Sequence, residues 1–401
     1  MQNHADITRR LADLIVGFGA NVQPGQLVGV TSYVGKEQMT HEVARAAYQR
    51  GARYVDVIYA DQWVKRERLL HGDPDTFSYI PPWMIDRMEH FSDEHAARVT
   101  LSGPHAPHAL DDVPPERSGR DLLPYLPVIG KIVNKRTTNW CVGPAPTVAW
   151  ATQVYPDAAP EDALDRLWDA IVHICRLDEA DPAAAWQARM AALRQAAATL
   201  TERRFDAIHL HGPGTDLTIG LFPSSIWEGA EFTTVDGLEH YPNIPSEEIF
   251  TTPDPLRADG HVSTTLPLEL YGTIIRGLRV EFEGGRAVKI DADDNAETMR
   301  AAVAKDDGAT RLGELALVDG GGRIGPLGTV FFDTLLDENA ASHIALGSAY
   351  DLAVGDDADK ARINQSGIHI DFMIGSPELD VDGITTAGER VPVLRRGAWQ
   401  I

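Results

Sequence analysis

The apolar positions in the first half of the chain follow two alternating rhythms. The opening stretch MQNHADITRRLADLIVGFGANVQ has the pattern of an amphipathic helix. Short apolar runs then predict strands at 26–30, 54–59, 98–101 and 140–142, and 37–50 reads as a helix. Strands separated by helical patterns imply an α/β fold with a parallel, doubly wound sheet covered on both faces. The last of these strands runs into a tight turn at 143–147, followed by a helix beginning near Val148. That turn lacks GxGxxG spacing and reads as structural. From Pro160 to Thr201, apolar residues such as Leu164, Leu167, Trp168 and Ile171 recur at helical spacing, giving two or three helices that close a first domain, 1–201.

At Arg204 the pattern changes. Short β-type runs follow at 217–221, 277–282, 287–290, 328–332 and 368–374, without a βαβ rhythm. Residues 202–401 are therefore expected to form an α+β domain with a strongly bent, partly barrel-like antiparallel sheet. Within 207–212 the alternation puts His209 and His211 on one face, the behaviour of polar residues on a solvated strand. Gly212, Gly214, Thr215 and Asp216 form a turn with no lysine at P-loop spacing, and Gly320, Gly321 and Gly322 form a loop.

Candidate chemistry gathers in the second half. Asp337 is a good N-cap, Glu338 would lie in a first helical turn and Gly347 is a natural stop, so a helix is expected over 339–346. That helix would carry His343 and leave Tyr350 beyond its end. In the alternating run 367–375, His369 and Asp371 point to the same side, about 6.6 Å apart along the strand, a spacing that suits two ligands of one metal. Glu247 and Glu248 are adjacent acids in a segment flanked by Pro242 and Pro253, read as a rigid loop. Glu314 stands ahead of an apolar run, where an unpaired charge is costly to bury. Together these supply the carboxylates and imidazoles that a two-metal hydrolytic site requires, and mixed His and carboxylate ligation suits zinc, cobalt or manganese better than calcium.

Composition narrows the partners. The 401 residues carry 59 Asp and Glu against 36 Lys and Arg, a net charge of −23, which argues against nucleic acid or an anionic membrane as the main partner. Cys141 and Cys175 are too few for a disulfide framework or a structural zinc site and read as buried thiols. No segment reaches membrane-spanning length and the opening stretch lacks a leader's apolar core, so a cytoplasmic location is expected.

The stretches NWCVGPAPTVAWA, GPGTDLTIGL, PNIPSEEIFTTPDP, GATRLGELALV, TLLDENAASHIALGSAY and IHIDFMIG span nearly the whole chain. In them it resembles the thermophilic metallopeptidase family typified by aminopeptidases T and S. The resemblance implies removal of N-terminal amino acids at a dinuclear centre of divalent ions: zinc, cobalt, manganese or magnesium. It implies Glu248, Glu314, Glu338, His343, His369 and Asp371 as ligands, Tyr350 at the metal site and Glu314 as the bridge. Glu247 would be a supporting group or a base. It also implies a two-domain homodimer whose sites face an enclosed interior that admits short peptides with a free N-terminus. The loop 319–325 is unusually Gly-rich and 351–365 is short, which bears on substrate preference. Two other readings stay open: a metal-dependent amide hydrolase of a specialised pathway, and a ring-cleaving dioxygenase with one iron on His343, His369 and Asp371.

Overall fold

A computed structural model describes residues 4–118, 126–229 and 231–401 of the chain. The four strands expected in the first half are present as Leu27–Tyr33, Tyr54–Ala60, Ala97–Ser102 and Asn139–Pro144. They form a parallel sheet in the spatial order second, first, third, fourth. On the first strand Val28 and Val30 face one side, where they meet Leu11 and Val43 of the helices His4–Leu14 and Glu37–Gln49 in the main core. Gly29 faces the other side, and a Cβ there would come within 2.8 Å of Phe91 on the helix Pro82–Asp93. Asp56, beside Gly29 in the ladder, pairs with Arg87 of that helix at 2.7 Å.

This second face is covered only at one end. Arg98, Thr100, Trp140 and Val142 share it by register, and they line a cleft. The edge strand Asn139–Pro144 is bound to the second half of the chain: Val142 N donates to Pro242 O at 2.7 Å and Ile244 N to Val142 O at 2.9 Å.

Two helices follow, Pro160–Ile174 and Pro182–Arg203. The longer begins at Asp181, whose carboxylate accepts from Ala184 N, with a proline in the first turn. It buries Trp186, Met190, Leu193, Ala197 and Leu200 at steps of three and four. Those side chains join one core that continues into the second half.

Beyond Ala207 the paired strands are antiparallel. One sheet has eight strands in the order Arg286–Asp291, Arg279–Glu283, Pro253–Ser263, Thr215–Leu221, Ala207–Gly212, Asp380–Ile384, Arg390–Arg395 and Ala398–Trp399. A second has four: His369–Met373, His343–Gly347, Leu312–Val318 and Glu248–Thr251. Leu315, Leu317, Ile344, Leu346, Ile370 and Phe372 lie on one face of the four-stranded sheet and join the core that contains Ile208, Leu210, Leu217 and Val381 of the other. The opposite face is thereby left for function.

Three local expectations fail. Residues 339–346 are not a helix: the helix is Thr334–Glu338, and His343–Gly347 is a central strand. The Asp337 carboxylate accepts from Phe331 N and Asp333 N behind it instead of capping residues ahead, and Glu338 ends the helix instead of starting one. Pairing on both sides and burial of Ile344 and Leu346 override the helix preference of the Ala- and Leu-containing segment. Gly347 ends this strand with φ +112°, and a Cβ there would lie 2.2 Å from Ile368 O. The run 328–332 is no strand, since Gly328 and Phe332 both take positive φ. Glu248 opens a strand instead of sitting in a loop.

Glu247 explains part of the packing between the halves. Its carboxylate is fully buried and accepts from Arg176 at 2.8 Å and from Arg189 of the long helix. Arg189 also pairs with Asp319. The Gly-rich loop closes over this pair: a Cβ at Gly322 would lie 3.3 Å from the Glu247 carboxyl carbon, and one at Gly321 3.3 Å from Arg189. Glu247→Gln leaves two buried guanidinium groups without their countercharge and is expected to cost about 3–5 kcal/mol of unfolding free energy. Urea denaturation at fixed metal concentration measures it; a loss below about 1 kcal/mol would contradict a supporting role for this ion pair.

Candidate metal centre

The free face of the four-stranded sheet is built by register. Glu314 sits opposite Ala345, which sits opposite Asp371. Ala316 sits between His343 and Phe250, and Glu248 is opposite Val318. His369 is opposite Gly347. Side chains at alternate positions share a face, so Glu248, Glu314, His343, His369 and Asp371 all project from one side. The residues between them, Ala316, Ala345 and Gly347, are small, which leaves space among the acids.

Two triads result, Glu248–Glu314–His343 and Glu314–His369–Asp371, each with donor atoms within 4.8 Å of one another. Glu314 belongs to both. His343 Nε2 lies 3.0 Å from Glu248 and 3.9 Å from Glu314; His369 Nε2 lies 3.3 Å from both Glu314 and Asp371. The other ring nitrogens are held by main-chain carbonyls, His343 Nδ1 by Ala341 O at 3.1 Å and His369 Nδ1 by Ser348 O at 2.7 Å. An Nδ1–H donated to a carbonyl leaves Nε2 as the lone pair that faces the carboxylates, the orientation a metal-binding imidazole needs.

The electrostatics of the cluster suit a bound cation. Burial opposes charge on His343, yet Glu248, Asp371 and Glu314 lift its pKa to about 10. His369 is also raised well above its ordinary value, with burial overcome by Asp371 and Tyr350. Burial pushes the Glu338 carboxyl far up, and Glu248 and Asp371 add to it. Glu314 is raised as well, by burial first. Glu248 Oε2 is buried and without a hydrogen bond of acceptable geometry, despite its nearness to His343. The oxygen-rich, nitrogen-containing donor set suits a divalent ion, whose charge would offset the burial and repulsion that raise Glu314 and Glu338.

Glu338 reaches the cleft from the end of the helix Thr334–Glu338, outside both triads. Its neighbour Asn339 is fully buried and ties the helix to the site strand, donating to Leu335 O at 2.9 Å and accepting from Glu247 N at 2.6 Å. Tyr350 follows the strand His343–Gly347, and its carbonyl accepts from Thr252 at 2.7 Å. Its ring centroid is 5.4 Å from that of His369. His369 pulls the phenol down, but burial and the carboxylates of Glu314, Asp371 and Glu338 outweigh it and leave it at about 12.

All seven side chains expected at a metal site line one cleft of about 370 Å³. Glu247 does not: it precedes Glu248 on the chain, points to the opposite side and is committed to Arg176 and Arg189, so a role as base has no geometric support. His209 and His211 are elsewhere, on the eight-stranded sheet. His209 is buried rather than solvated, bonded to Asp216 at 2.8 Å and Arg390 at 3.0 Å. The opposite wall of the cleft was not expected. Arg98, Thr100, Trp140 and Val142 of the parallel sheet, with Val133 and Phe232, face the acids. The alternation of Arg98 and Thr100 with buried Val99 and Leu101 marks that strand's polar side, without showing what it faces.

A family model described as Thermophilic metalloprotease (M29) matches residues 5–399. Aminopeptidase T of Thermus aquaticus is 40% identical over 401 residues, with 98% of each chain covered. Aminopeptidase PepS of Streptococcus thermophilus is 37% identical over 416 residues, with 100% of both covered. The solved structure of wild-type AmpT from Thermus thermophilus is similar with a TM-score of 0.88 at 39% identity, covering 99% of both chains. The chain belongs to the thermophilic metalloprotease family.

Proposed function

We propose that this chain is a metal-dependent aminopeptidase that removes N-terminal residues from short peptides at a dinuclear centre. The observation that carries this reading is the pair of triads joined through Glu314, in a chain whose relatives are named aminopeptidases. Glu248 and His343 would hold one ion, His369 and Asp371 the other, with Glu314 between them and Glu338 completing the set. The four carboxylates carry a charge of −4, which two divalent ions match with +4. Zinc, cobalt, manganese and magnesium all suit this donor class. Such a pair supplies an activated water and polarises the peptide carbonyl.

The protein's own residues do the rest. The acidic end of the cleft favours a free α-ammonium group over a blocked one. Tyr350, whose phenol holds its proton through the physiological range, is placed to donate to the carbonyl oxygen as charge develops there. The aromatic and aliphatic side chains of the opposite wall exclude bulk water, which strengthens each of these interactions. The working form in this reading is a homodimer, as the family resemblance implies, and a cytoplasmic one, as the sequence pattern suggests; among the described residues no helix is long and apolar enough to cross a membrane.

A single-iron dioxygenase would require His343, His369 and Asp371 around one ion. The donor atoms group otherwise, with His343 in one triad and the other two in the second. An amide hydrolase of a specialised pathway is separated from an aminopeptidase by its tolerance of a blocked amine.

Glu314→Gln is expected to lower bound metal from two equivalents to one or fewer and kcat/KM by at least ~10²-fold. Elemental analysis alongside kinetics checks both, and full occupancy with normal turnover would remove Glu314 as the bridge. N-acetylated dipeptides are expected to resist cleavage; equal rates for blocked and free forms would sink the aminopeptidase reading. Tyr350→Phe keeps the ring and is expected to lower kcat roughly 10²-fold with the thermal midpoint nearly unchanged. Unaltered kinetics would return this side chain to a packing role.

A further inference from the structure

Arg98 is the only Arg or Lys among the described residues lining the cleft. It forms no hydrogen bond, ion pair or ring contact with any described residue. Other largely buried arginines have carboxylate partners: Arg176 and Arg189 both pair with Glu247, and Arg189 also pairs with Asp319. Arg87, the like charge that acts on Arg98, pairs with Asp56. Burial pulls the Arg98 pKa below its ordinary value, and Arg87 adds to the effect. Arg98 is only partly buried, and with no partner on the protein its guanidinium is presented to the cleft, available to an anion there.

The cleft is therefore polar in two opposed ways. One end is the acidic cluster, and none of its carboxylates pairs with Arg98. The wall between is apolar, from Trp140, Phe232 and Phe250. Arg98 stands beside Trp140 in the ladder, on the sheet across the cleft from the acids. A ligand matching this order is a zwitterion, with its ammonium group toward the acids and an anion toward Arg98. The planar fork of a guanidinium fits a carboxylate with two parallel hydrogen bonds. A cavity of about 370 Å³ is near the small end of the range for small-molecule sites, the size of a di- or tripeptide.

We infer that Arg98 binds a carboxylate of the substrate on the leaving-group side of the scissile bond, so that the enzyme measures short peptides from both ends. This rests on the aminopeptidase reading above. The carboxylate is either the C-terminal one of a di- or tripeptide or an acidic side chain on the residue after the scissile bond. Both present the same chemistry to Arg98.

The test compares four substrates with metal-loaded full-length enzyme: a dipeptide with a free C-terminus, its C-terminal amide, an amide with aspartate as second residue, and an aminoacyl 4-nitroanilide. Wild type is expected to prefer the free dipeptide over its amide by roughly 10- to 100-fold in kcat/KM, chiefly through KM. Arg98→Met should collapse that ratio toward one, and Arg98→Lys should restore part of it through charge without the fork. The aspartyl amide tells which carboxylate is read: a rate like that of the free dipeptide assigns the side chain as well, and a rate like that of the plain amide assigns the C-terminus alone. A wild type that does not distinguish acid from amide overturns the proposal, as does a ratio that survives Arg98→Met. If Arg98→Met does not fold, judged by its thermal midpoint, the wild-type ratio and the Arg98→Lys variant decide. Absence of cleavage of all four by wild type, the nitroanilide included, is a failure of the aminopeptidase reading itself.

Discussion

Like charges held close together out of water are the constraint around which this molecule is built. Glu248, Glu314, Glu338 and Asp371 line one cleft with two imidazoles, and their mutual repulsion would scatter them on a mobile loop. Five of the six are fixed by a β-ladder whose other face is committed to the main core, so the side chains cannot turn away without unpacking Leu315, Ile344, Ile370 and Phe372. The apolar face supplies the free energy and the polar face spends it. With burial worth about 25 cal/mol per Å² of apolar surface, several large side chains can outweigh an unfavourable cluster of this size.

The parallel sheet contributes in a different way. It places no donor on either triad, yet one of its faces forms the far wall of the cleft. Its edge strand is hydrogen-bonded to the segment that leads into Glu248 through Val142, Pro242 and Ile244. Floor and wall are thus set relative to one another by main-chain bonds close to the chemistry. Asn339 performs a similar service within the second half, joining the helix that delivers Glu338 to the strand that delivers Glu248.

Much of this was legible in the sequence because it depends on short-range periodicity. The alternation around His369 and Asp371 placed both on one side of a strand, and they are on one side. The parallel strands of the first half were each marked by a short apolar run, the first two separated by a helical pattern. His343 was assigned to a helix because local signals, a capping aspartate, an acid in the first turn and a terminal glycine, favour one; the partners that make it a strand lie near residues 312–318 and 369–373, beyond the reach of a local pattern. The same limit hid Arg98. Its strand could be read, but the cleft exists only where two distant sheets face each other. Glu247 and Glu248 are chemically alike, and only the three-dimensional positions of Arg176 and Arg189 separate their duties.

Those two glutamates carry a consequence for how the protein can vary. They are consecutive on one chain, one turned to a pair of arginines and the other to the ligand cluster. Because successive residues of a strand face opposite ways, losing or gaining a single residue between the anchor at Ile244 and Thr251 would present each carboxylate to the other's surroundings. The residue type would be preserved at both places and neither environment would register a change of composition, yet Phe250 would turn from the cleft into the core and Ile249 from the core into the cleft. Length in this segment is therefore under tighter restraint than identity, and a variant there is better judged by counting residues than by comparing them.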